Sequence, residues 1–204
     1  QTCALPICNF TFRSREFEQA ELEFFVHPSE REKWFGYWLE QRLAWHRRLG
    51  IPDECVRTRA HEPHELAHYA KAAADVECRF PFGWHEIEGV HDRGDWDLAR
   101  HTEFSGKDLG ITDPETKEHF VPMVIETSVG IDRTCLALLV DAYREEPLEG
   151  GDSRVVMRLH PSLAPVKAAV LPLSKKLAEP AHALEAELRR HMNRSEEHTS
   201  ELQS

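Results

Sequence analysis

The HExxH pattern of zinc peptidases occurs at residues 64–68, HELAH. On a helix, the two histidines of this pattern lie one turn apart and can bind Zn²⁺, while the glutamate acts as a general base. Glu86 and Glu88 follow closely enough to be candidates for a third ligand. The pattern also arises easily by chance in a chain with 13 histidines and 36 acidic residues, and Pro63 places the first histidine at the fraying start of any helix. A zinc site is therefore a minor alternative.

A second group of chemically active residue types lies in FRSREFEQAELEFF, residues 12–25, where arginines, glutamates and phenylalanines alternate. A matching polar group occurs much later, in ETSVGIDR at residues 126–133. It follows a strand predicted at 121–125 and precedes a strongly apolar helix predicted from about Ile131 to Arg144. The junction of strand, turn and helix therefore gathers Glu126, Ser128, Gly130 and Arg133.

Hydrophobic spacing predicts the elements that position the first group. Aromatic and aliphatic residues are frequent from Phe10 to Val26. They favour a strand, at least in the first half of this segment. Ser29 and Glu32 form a possible capping box, and the residues after it have helical apolar spacing up to Leu49, where Gly50 ends the helix. The tryptophans of this helix are interpreted as its core-facing stripe.

The middle of the chain is predicted to contain one more helix and one more strand. Residues 64–78 are rich in alanine and predict a helix that must stop before Phe80-Pro81. Alternating apolar and polar residues around Trp84 to Val90 predict a half-buried strand. A polar loop is then expected to about Lys117.

The C-terminal part differs in composition, because prolines recur through it. This change predicts a second unit that starts near Leu163. Residues 145–153 are predicted to be a loop, residues 166–171 a buried strand, and residues 177–192 a helix. A strand followed by a helix indicates the beginning of an α/β domain.

Composition limits the possible functions. The 204 residues are 41% hydrophobic and 30% charged, which indicates a globular protein of one or two domains. No apolar run is long enough for a membrane helix, and the start lacks a signal peptide, so a cytoplasmic protein without membrane contact is expected. The five cysteines form no CxxC pair, which predicts reduced thiols and no structural zinc. A net charge of −11 gives no global basic surface for nucleic acid.

Residues 12–25 and VIETSVGIDRTCLALLVDAY at 124–143 resemble motifs 2 and 3 of class II aminoacyl-tRNA synthetases, specifically the homodimeric glycyl-tRNA synthetases. The likeness continues through ELAHYAKAAADVECRFPFGWHEIEG, DLARHTEFSGKDL and RLHPSLAPVKAAVLPL and covers about residues 9–190. It implies an α+β fold, with a class II antiparallel sheet and flanking helices followed by the first strand and helix of an α/β anticodon-binding domain. It also implies ATP and Mg²⁺ as cofactors, and glycine and tRNA(Gly) as partners.

The resemblance implies an ATP site in which Arg13 contacts the phosphates and Phe17 stacks on adenine. Arg133 would cover the other face of adenine and reach the γ-phosphate, which makes Arg13 and Arg133 the catalytic residues. Glu86 would be a ligand of Mg²⁺. The full set implied to contact ATP is Phe12, Arg13, Ser14, Arg15, Glu16, Phe17, Glu86, Ile87, Gly130, Ile131, Asp132 and Arg133. Without the resemblance, Arg133 is equally well an ion-pair partner of Asp132 or Glu126.

The resemblance also implies a glycine site in which Glu21 and Glu126 bind the α-ammonium and Ser128 helps to close the pocket. Its members are Phe17, Glu18, Gln19, Ala20, Glu21, Glu126, Thr127, Ser128, Val129 and Gly130. Exclusion of any substrate with a Cβ would supply the selectivity. The family commonly has EPSAG where this chain has ETSVG, which keeps the charged and hydroxyl groups. Without the resemblance, Glu21 is a solvated strand glutamate.

The chain is expected to contain four segments, two of which the resemblance implies. Residues 1–8 and 194–204 continue no periodic pattern and are expected to be non-native, residues 9–158 are a partial catalytic domain, and residues 159–193 begin the anticodon-binding domain. Motif 1, the first strand of motif 2 and most of the anticodon domain are not found, so the chain is expected to be a fragment with little activity of its own. A non-catalytic synthetase-like module that binds RNA or a partner remains an alternative.

Overall fold

A five-stranded antiparallel sheet lies at the centre of the computed structural model, which describes residues 10–191. The chain divides into two compact units, one up to Arg158 and one from Leu159. In chain order the elements are β1 (Gln19–Val26), α1 (Arg31–Arg48), β2 (Val56–Ala60), β3 (Ala72–Phe80), β4 (Gly83–Gly94), α2 (Trp96–Ser105), β5 (Ile111–Thr112), β6 (His119–Phe120), β7 (Met123–Gly130), α3 (Ile131–Ala142), β8 (Tyr143–Pro147), β9 (Ser153–Met157) and α4 (Ala178–His191).

The order of strands in the sheet is β1-β7-β4-β3-β2, so β7 and β4 are central. Side chains alternate between the two faces along each strand. On one face, which we call the covered face, α1 packs: the Phe24 ring centroid lies 4.8 Å from that of Trp34 and 5.5 Å from that of Trp38. The opposite face, the open face, carries Glu21 of β1 and its cross-strand partner Ser128 of β7.

The covered face contains buried charges whose partners come from α1. Glu88 is 0% exposed and lies 2.7 Å from Nε2 of His46, and it also accepts a hydrogen bond from Arg42. Asp92, also buried, pairs with Nε of Arg31 at 2.9 Å. Because an unpaired buried charge is costly, these pairs fix the position of α1 across the sheet.

An apolar cluster of buried residues includes Ala137 of α3. Phe12, in a short 3-10 turn at Phe10–Phe12, packs edge-on against Phe80 and Phe82 at centroid distances of 5.3 and 5.5 Å. Cys78 is buried in the same cluster, and this burial raises the pKa of its thiol to about 11. The thiol is therefore protonated and unreactive at neutral pH.

The prediction for α1 is confirmed, including its end, since Leu49 follows the last helical residue and Gly50 has φ of +104°. Two tryptophans of the predicted stripe, Trp34 and Trp38, pack against Phe24 of the sheet. The capping box does not form, because the helix starts after a 3-10 turn at Pro28–Glu30 in which Nδ1 of His27 accepts from the Ser29 N–H.

Three predictions before residue 120 are wrong. The strand expected in the first half of 10–26 is a 3-10 turn and a loop, and the strand occupies Gln19–Val26 instead. The helix expected at 64–78 is replaced by turns up to residue 71 and by β3, because these alanine-rich residues pair with β2 and β4 on both sides. The polar loop expected to Lys117 contains α2, which ends at Gly106 with φ of +66°.

The other strand and helix predictions for the first unit are better. The strand at 84–90 is confirmed within β4, the strand at 121–125 begins at Met123 in β7, and the helix from Ile131 is confirmed as α3, which ends at Ala142. Residues 145–153 are not wholly a loop, since they belong to the hairpin of β8 and β9.

The second unit contains the predicted helix, which spans Ala178–His191. The strand predicted at 166–171 is wrong: no strand occurs between residues 159 and 191. The expected non-native ends at 1–8 and 194–204 lie outside the described residues. None of the helices within residues 10–191 is long and apolar enough to cross a membrane.

Candidate active site

A cavity of about 190 Å³ lies where the 3-10 turn and the following loop meet the junction of β7 and α3. Twelve of the twenty residues predicted to bind ATP or glycine line it: Phe12, Arg13, Ser14, Phe17, Glu18, Gln19, Glu86, Ile87, Ser128, Gly130, Asp132 and Arg133. Pockets for complete small ligands are usually roughly 300–1,000 Å³, so this cavity has room for part of a nucleotide. The structure therefore brings together sequence segments more than a hundred residues apart.

Arg133, in the first turn of α3, is held by four groups, which belong to Phe12 and Glu86. Its Nε donates to the carbonyl oxygen of Phe12 at 3.1 Å, and its Nη1 donates to the carbonyl oxygen of Glu86 at 3.1 Å. The guanidinium carbon lies 4.6 Å from the centroid of the Phe12 ring. The carboxylate of Glu86 lies 3.5 Å from Nη1, so the ion pair considered with Asp132 or Glu126 is made with Glu86 instead. A long side chain is thus fixed at the cavity wall.

The loop before β1 is tied to the start of α3 by two hydrogen bonds. The N–H of Glu18 donates to Oδ2 of Asp132 at 2.6 Å, and the N–H of Ile131 donates to the carbonyl oxygen of Glu18 at 2.9 Å. Asp132 therefore fixes the loop through its carboxylate. This connection places Phe17 and Arg133 in the same cavity.

The two residues predicted to bind the adenine and the phosphates from this loop, Phe17 and Arg13, are open to solvent. The Phe17 side chain is 60% exposed although it lines the cavity. Arg13 is also exposed, and within residues 10–191 its guanidinium forms no ion pair. An exposed ring and an uncompensated cation at one cavity rim suit a planar anionic ligand.

Gln19, Glu21 and Ser128 form a polar group on the open face beside the cavity. Nε2 of Gln19 donates to Oε1 of Glu21 at 2.7 Å and also contacts Oγ of Ser128. The Ser128 hydroxyl lies 3.5 Å from the same Glu21 oxygen. The antiparallel register explains this arrangement, because Glu21 lies directly opposite Ser128.

Glu126 is only 7% exposed and does not line the cavity, which differs from its predicted place. Its Oε2 accepts from Nη1 of Arg93 at 2.7 Å, and its Oε1 lies 3.4 Å from Nδ1 of His91. The hydrogen bond from His91 and the charge of Arg93 hold the pKa of Glu126 below its ordinary value, against the opposing effect of burial. Glu126 is therefore an ionised carboxylate at the edge of the site.

Sequence reasoning missed Arg93 and His91. Both lie on β4, and His91 is directly opposite Glu126 in the register. The run EGVHDRG shows basic residues two apart just after the strand predicted at 84–90, and this spacing places them on one face if the strand continues. The spacing thus indicated that the two residues share a face. It did not indicate that β7, which carries Glu126, is the neighbouring strand.

Other predicted residues lie away from the cavity. Thr127 and Val129 are buried, and their register partners Leu22 and Glu88 belong to the covered face, so strand alternation turns both side chains away from the site. The remaining residues that do not line the cavity are Arg15, Glu16, Ala20, Glu21 and Ile131. Glu21 alone among these belongs to the polar group described above.

Residues 64–68 are not helical, so the two histidines do not lie one helical turn apart. Glu65 pairs with Arg59 at 3.0 Å, and the His68 ring lies edge-on to Trp96 with centroids 5.0 Å apart. Across residues 10–191, no three His, Cys, Asp or Glu side chains are grouped to hold a metal ion. The zinc peptidase alternative is not supported.

The fold is similar to that of a solved seryl-tRNA synthetase from Pyrococcus horikoshii complexed with ATP. The TM-score is 0.59 and the sequence identity 17%, and the match covers 69% of this chain and 30% of the other. At this identity the likeness shows the fold alone. It confirms the predicted α+β class, with an antiparallel sheet and flanking helices.

The chain is similar in sequence to bacterial glycine–tRNA ligases. It is 54% identical over 183 residues to that of Geobacillus kaustophilus strain HTA426, a match that covers 90% of this chain and 40% of the relative. It is 57% identical to that of Alkaliphilus oremlandii strain OhILAs and 56% identical to that of Clostridium acetobutylicum, each over 173 residues, 85% of this chain and 37% of the relative.

No protein-family model matches the chain. The chain spans about 40% of the length of the curated relatives it matches. The resemblance to glycyl-tRNA synthetases that the two motifs predicted is thus confirmed over nine-tenths of this sequence.

Proposed function

We propose that this chain is the part of a glycine–tRNA ligase that binds ATP and glycine and forms glycyl-adenylate. One observation carries the proposal: a single cavity is lined by Phe17, Arg13 and Arg133 and also by Gln19 and Ser128, and these two residues contact Glu21 beside it. A nucleotide site and an ammonium site then lie side by side. The similarity to glycine–tRNA ligases over most of the chain supports the choice of ligand.

The adenine base would lie between Phe17 and Arg133. One face of the Arg133 guanidinium is against the Phe12 ring, and the opposite face remains for the purine. Because the guanidinium is already fixed by two carbonyl oxygens, little side-chain entropy is lost when the nucleotide binds. Arg13 would bind the phosphates through its unpaired guanidinium.

The glycine ammonium would be bound by carboxylates on the open face. Glu21 is exposed and oriented by Gln19, so it makes the direct contact. Glu126 already binds Arg93 and His91, but each carboxylate oxygen has a second acceptor position, and the charge of Glu126 adds to the attraction. Ser128 would close the pocket on the side where a larger substrate carries its Cβ.

The chain's residues would promote adenylate formation by alignment and charge rather than by proton transfer. The carboxylate of glycine is ionised at neutral pH and can attack the α-phosphorus directly, with pyrophosphate as the leaving group. Arg13 and Arg133 would stabilise the negative charge on the phosphates in the transition state. No side chain needs to act as a general base.

Glu86 is the residue that would hold Mg²⁺. Its carboxylate is 49% exposed at the cavity rim, and hard carboxylate oxygen suits this ion, which usually keeps several waters and binds substrate phosphates. When bound, Mg²⁺ would neutralise part of the triphosphate charge. The 3.5 Å separation of Glu86 and Arg133 means that the two residues can serve neighbouring phosphate oxygens.

The wider activity is proposed by the same reasoning. The glycyl group would pass to the 3′ end of tRNA(Gly), in a homodimeric cytoplasmic enzyme. The unit up to Arg158 would be catalytic, and the unit from Leu159 would begin the anticodon-binding domain.

The decisive test is glycine-dependent ATP–pyrophosphate exchange by the protein expressed from the complete reading frame that contains this chain. Arg133→Ala should lower exchange by about 10²–10³-fold, because one preorganised charge-stabilising group is lost. The control is Arg100→Ala on α2, where an exposed arginine pairs with Glu103 and with no other acid among residues 10–191, so exchange should be unchanged.

Measurement of equilibrium ATP binding to the 204-residue chain distinguishes a non-catalytic nucleotide-binding module from a chain without a nucleotide site. Binding that Arg133→Ala weakens, without exchange in the complete protein, would identify a non-catalytic nucleotide-binding module. Absence of both binding and exchange would reject the nucleotide site itself.

A further inference from the structure

Arg93 connects Glu126 to two elements outside the strands that carry the site. Its Nη1 donates to Oε2 of Glu126 at 2.7 Å, and its Nε donates to Oδ2 of Asp97, in the first turn of α2, at 2.8 Å. The guanidinium carbon lies 4.6 Å from the centroid of the Tyr69 ring. The guanidinium is thus contacted from β7, from α2 and from the segment between β2 and β3.

The segment at residues 61–71, which contains the HELAH sequence, is attached beside β4. The N–H of Lys71 donates to the carbonyl oxygen of Asp92 at 2.8 Å, and the N–H of His61 donates to the carbonyl oxygen of Ala73 at 2.9 Å. The rings of Tyr69 and Trp96 lie 5.9 Å apart, centroid to centroid. These contacts bring Tyr69 to the guanidinium of Arg93.

We propose that Tyr69 and Asp97 are positioning residues for the ammonium-binding carboxylate Glu126, and that they act through Arg93. This inference rests on the proposed function, in which Glu126 contributes to the glycine site. It also gives the residues around the HELAH sequence a part in substrate recognition that involves no metal.

The physical reason is the freedom of the arginine side chain. An arginine with one partner samples several rotamers, whereas Asp97 fixes Nε and the tyrosine ring covers the face of the guanidinium. Arg93 then presents Nη1 to Glu126 in one geometry. Since Glu126 is buried, a loss of this donor would leave its carboxylate poorly compensated and free to turn away from the ligand.

The charge states agree with this arrangement. The hydrogen bond to Asp97 raises the pKa of Arg93, whereas the hydrogen bond from His91 and the charge of Arg93 lower the pKa of Glu126. The groups that face Glu126 are His91 and Arg93 from β4 and Glu23, its register partner on β1; Asp97 of α2 acts through Arg93.

The first experiment measures KM for glycine and KM for ATP separately, by pyrophosphate exchange in the protein from the complete reading frame. Tyr69→Leu should raise KM for glycine by about fivefold to tenfold, the loss expected for a partly buried cation–π contact, and leave KM for ATP within about twofold. Tyr69→Phe, which keeps the ring, is the matched control and should behave as the wild type. Asp97→Asn should act in the same direction as Tyr69→Leu.

An equal rise in both KM values, or an effect of Tyr69→Phe as large as that of Tyr69→Leu, would overturn the proposal. An inactive wild-type protein would instead reject the proposed function. The positioning role would then be decided by a measurement that needs no activity.

That second measurement is an NMR titration of the ¹³C-labelled Glu126 carboxyl group in the 204-residue chain. Tyr69→Leu should move its titration to higher pH than in the wild type and in Tyr69→Phe, because Arg93 is less firmly held. The same titration midpoint in all three proteins would contradict the role of Tyr69.

Discussion

The two faces of the central sheet differ in how their carboxylates are neutralised. On the covered face, Glu88 and Asp92 are paired with Arg42 and Arg31, which α1 supplies from above the sheet. On the open face, the partner of Glu126 is Arg93, which comes from the neighbouring strand.

This difference separates the structural carboxylates of the covered face from Glu126, which we propose to contribute to the ligand site. A partner from a packed helix occupies the space above the carboxylate, so the pair becomes part of the core. A partner from an adjacent strand, such as Arg93 of β4, reaches the carboxylate from the side, so no helix side chain is needed to neutralise it. The role of a buried carboxylate in this sheet is therefore indicated by the element that supplies its positive partner, and not by its charge alone.

The largest expected effect concerns stability on the covered face. Glu88→Gln should lower the free energy of unfolding by about 3 kcal/mol, because it breaks a buried ion pair and leaves Arg42 uncompensated. Urea unfolding monitored by tryptophan fluorescence measures this change. Glu86→Gln, an exposed neighbour on the same strand, is the control and should change stability by no more than about 0.5 kcal/mol. Equal losses of stability in Glu88→Gln and Glu86→Gln would contradict the structural role of the buried pair on the covered face.

The next effect concerns the open face. Glu21→Gln should raise KM for glycine by about tenfold or more in the protein from the complete reading frame, since a charged hydrogen bond to the ammonium is lost. The free energy of unfolding measured in urea should change little, because Glu21 is exposed. A stability loss that matches that of Glu88→Gln would show that Glu21 is structural.

A smaller effect is expected for the exposed ring at the cavity. Phe17→Leu should weaken ATP binding to the chain by about twofold to tenfold, which corresponds to the loss of one stacking contact of roughly 0.5–1.5 kcal/mol. Isothermal titration calorimetry measures it, and Phe104→Leu, another highly exposed phenylalanine outside the cavity, is the control. Identical affinities in all three proteins would remove Phe17 from the site.

The smallest effect is a difference in pH dependence between the two faces. The pKa of Glu126 lies below its ordinary value of 4.5, so its contribution to stability is present above that value and is lost as pH falls through the lowered pKa. Burial raises the pKa of Asp92 above 3.8, so its contribution is present below that value and is lost as pH rises through the raised pKa.

Acidification from pH 6 to about pH 3 should therefore destabilise Glu126→Gln less than the wild type and Asp92→Asn more than the wild type. Urea midpoints measured across this range at constant ionic strength test the two slopes. Parallel slopes for both variants would mean that the two carboxylates have similar environments.

The sequence predicted α1, β4, α3 and α4 because each has strong local signals, such as the apolar spacing that ends at Gly50. It failed at residues 64–78, where alanine favours a helix but pairing with two neighbouring strands determines the structure. The helix α2 was also missed, although Gly106 in a left-handed conformation is the kind of residue that ends a helix.

The site was predictable where it depends on contiguous motifs. Residues 12–19 and 128–133 were expected to meet, and the cavity joins them. Arg93, His91 and Tyr69 were not predicted, since their relation to Glu126 depends on strand register and on the path of a loop. Neither can be obtained from spacing along the chain.

The two edge strands of the sheet, β2 and β1, differ in the features that prevent pairing with strands of other molecules. At one edge, the short strand β2 is bordered by arginines in ion pairs, such as Arg57 with Glu77 at 2.7 Å, and charges of this kind discourage strand addition. At the other edge, β1 has eight residues, exposed Leu22 and Phe25 side chains, and a neighbour on one side only within the described part of the chain. Unpaired amide and carbonyl groups along such an edge invite intermolecular β-pairing, and on β1 only the exposed charges of Glu21 and Glu23 oppose it within the described residues.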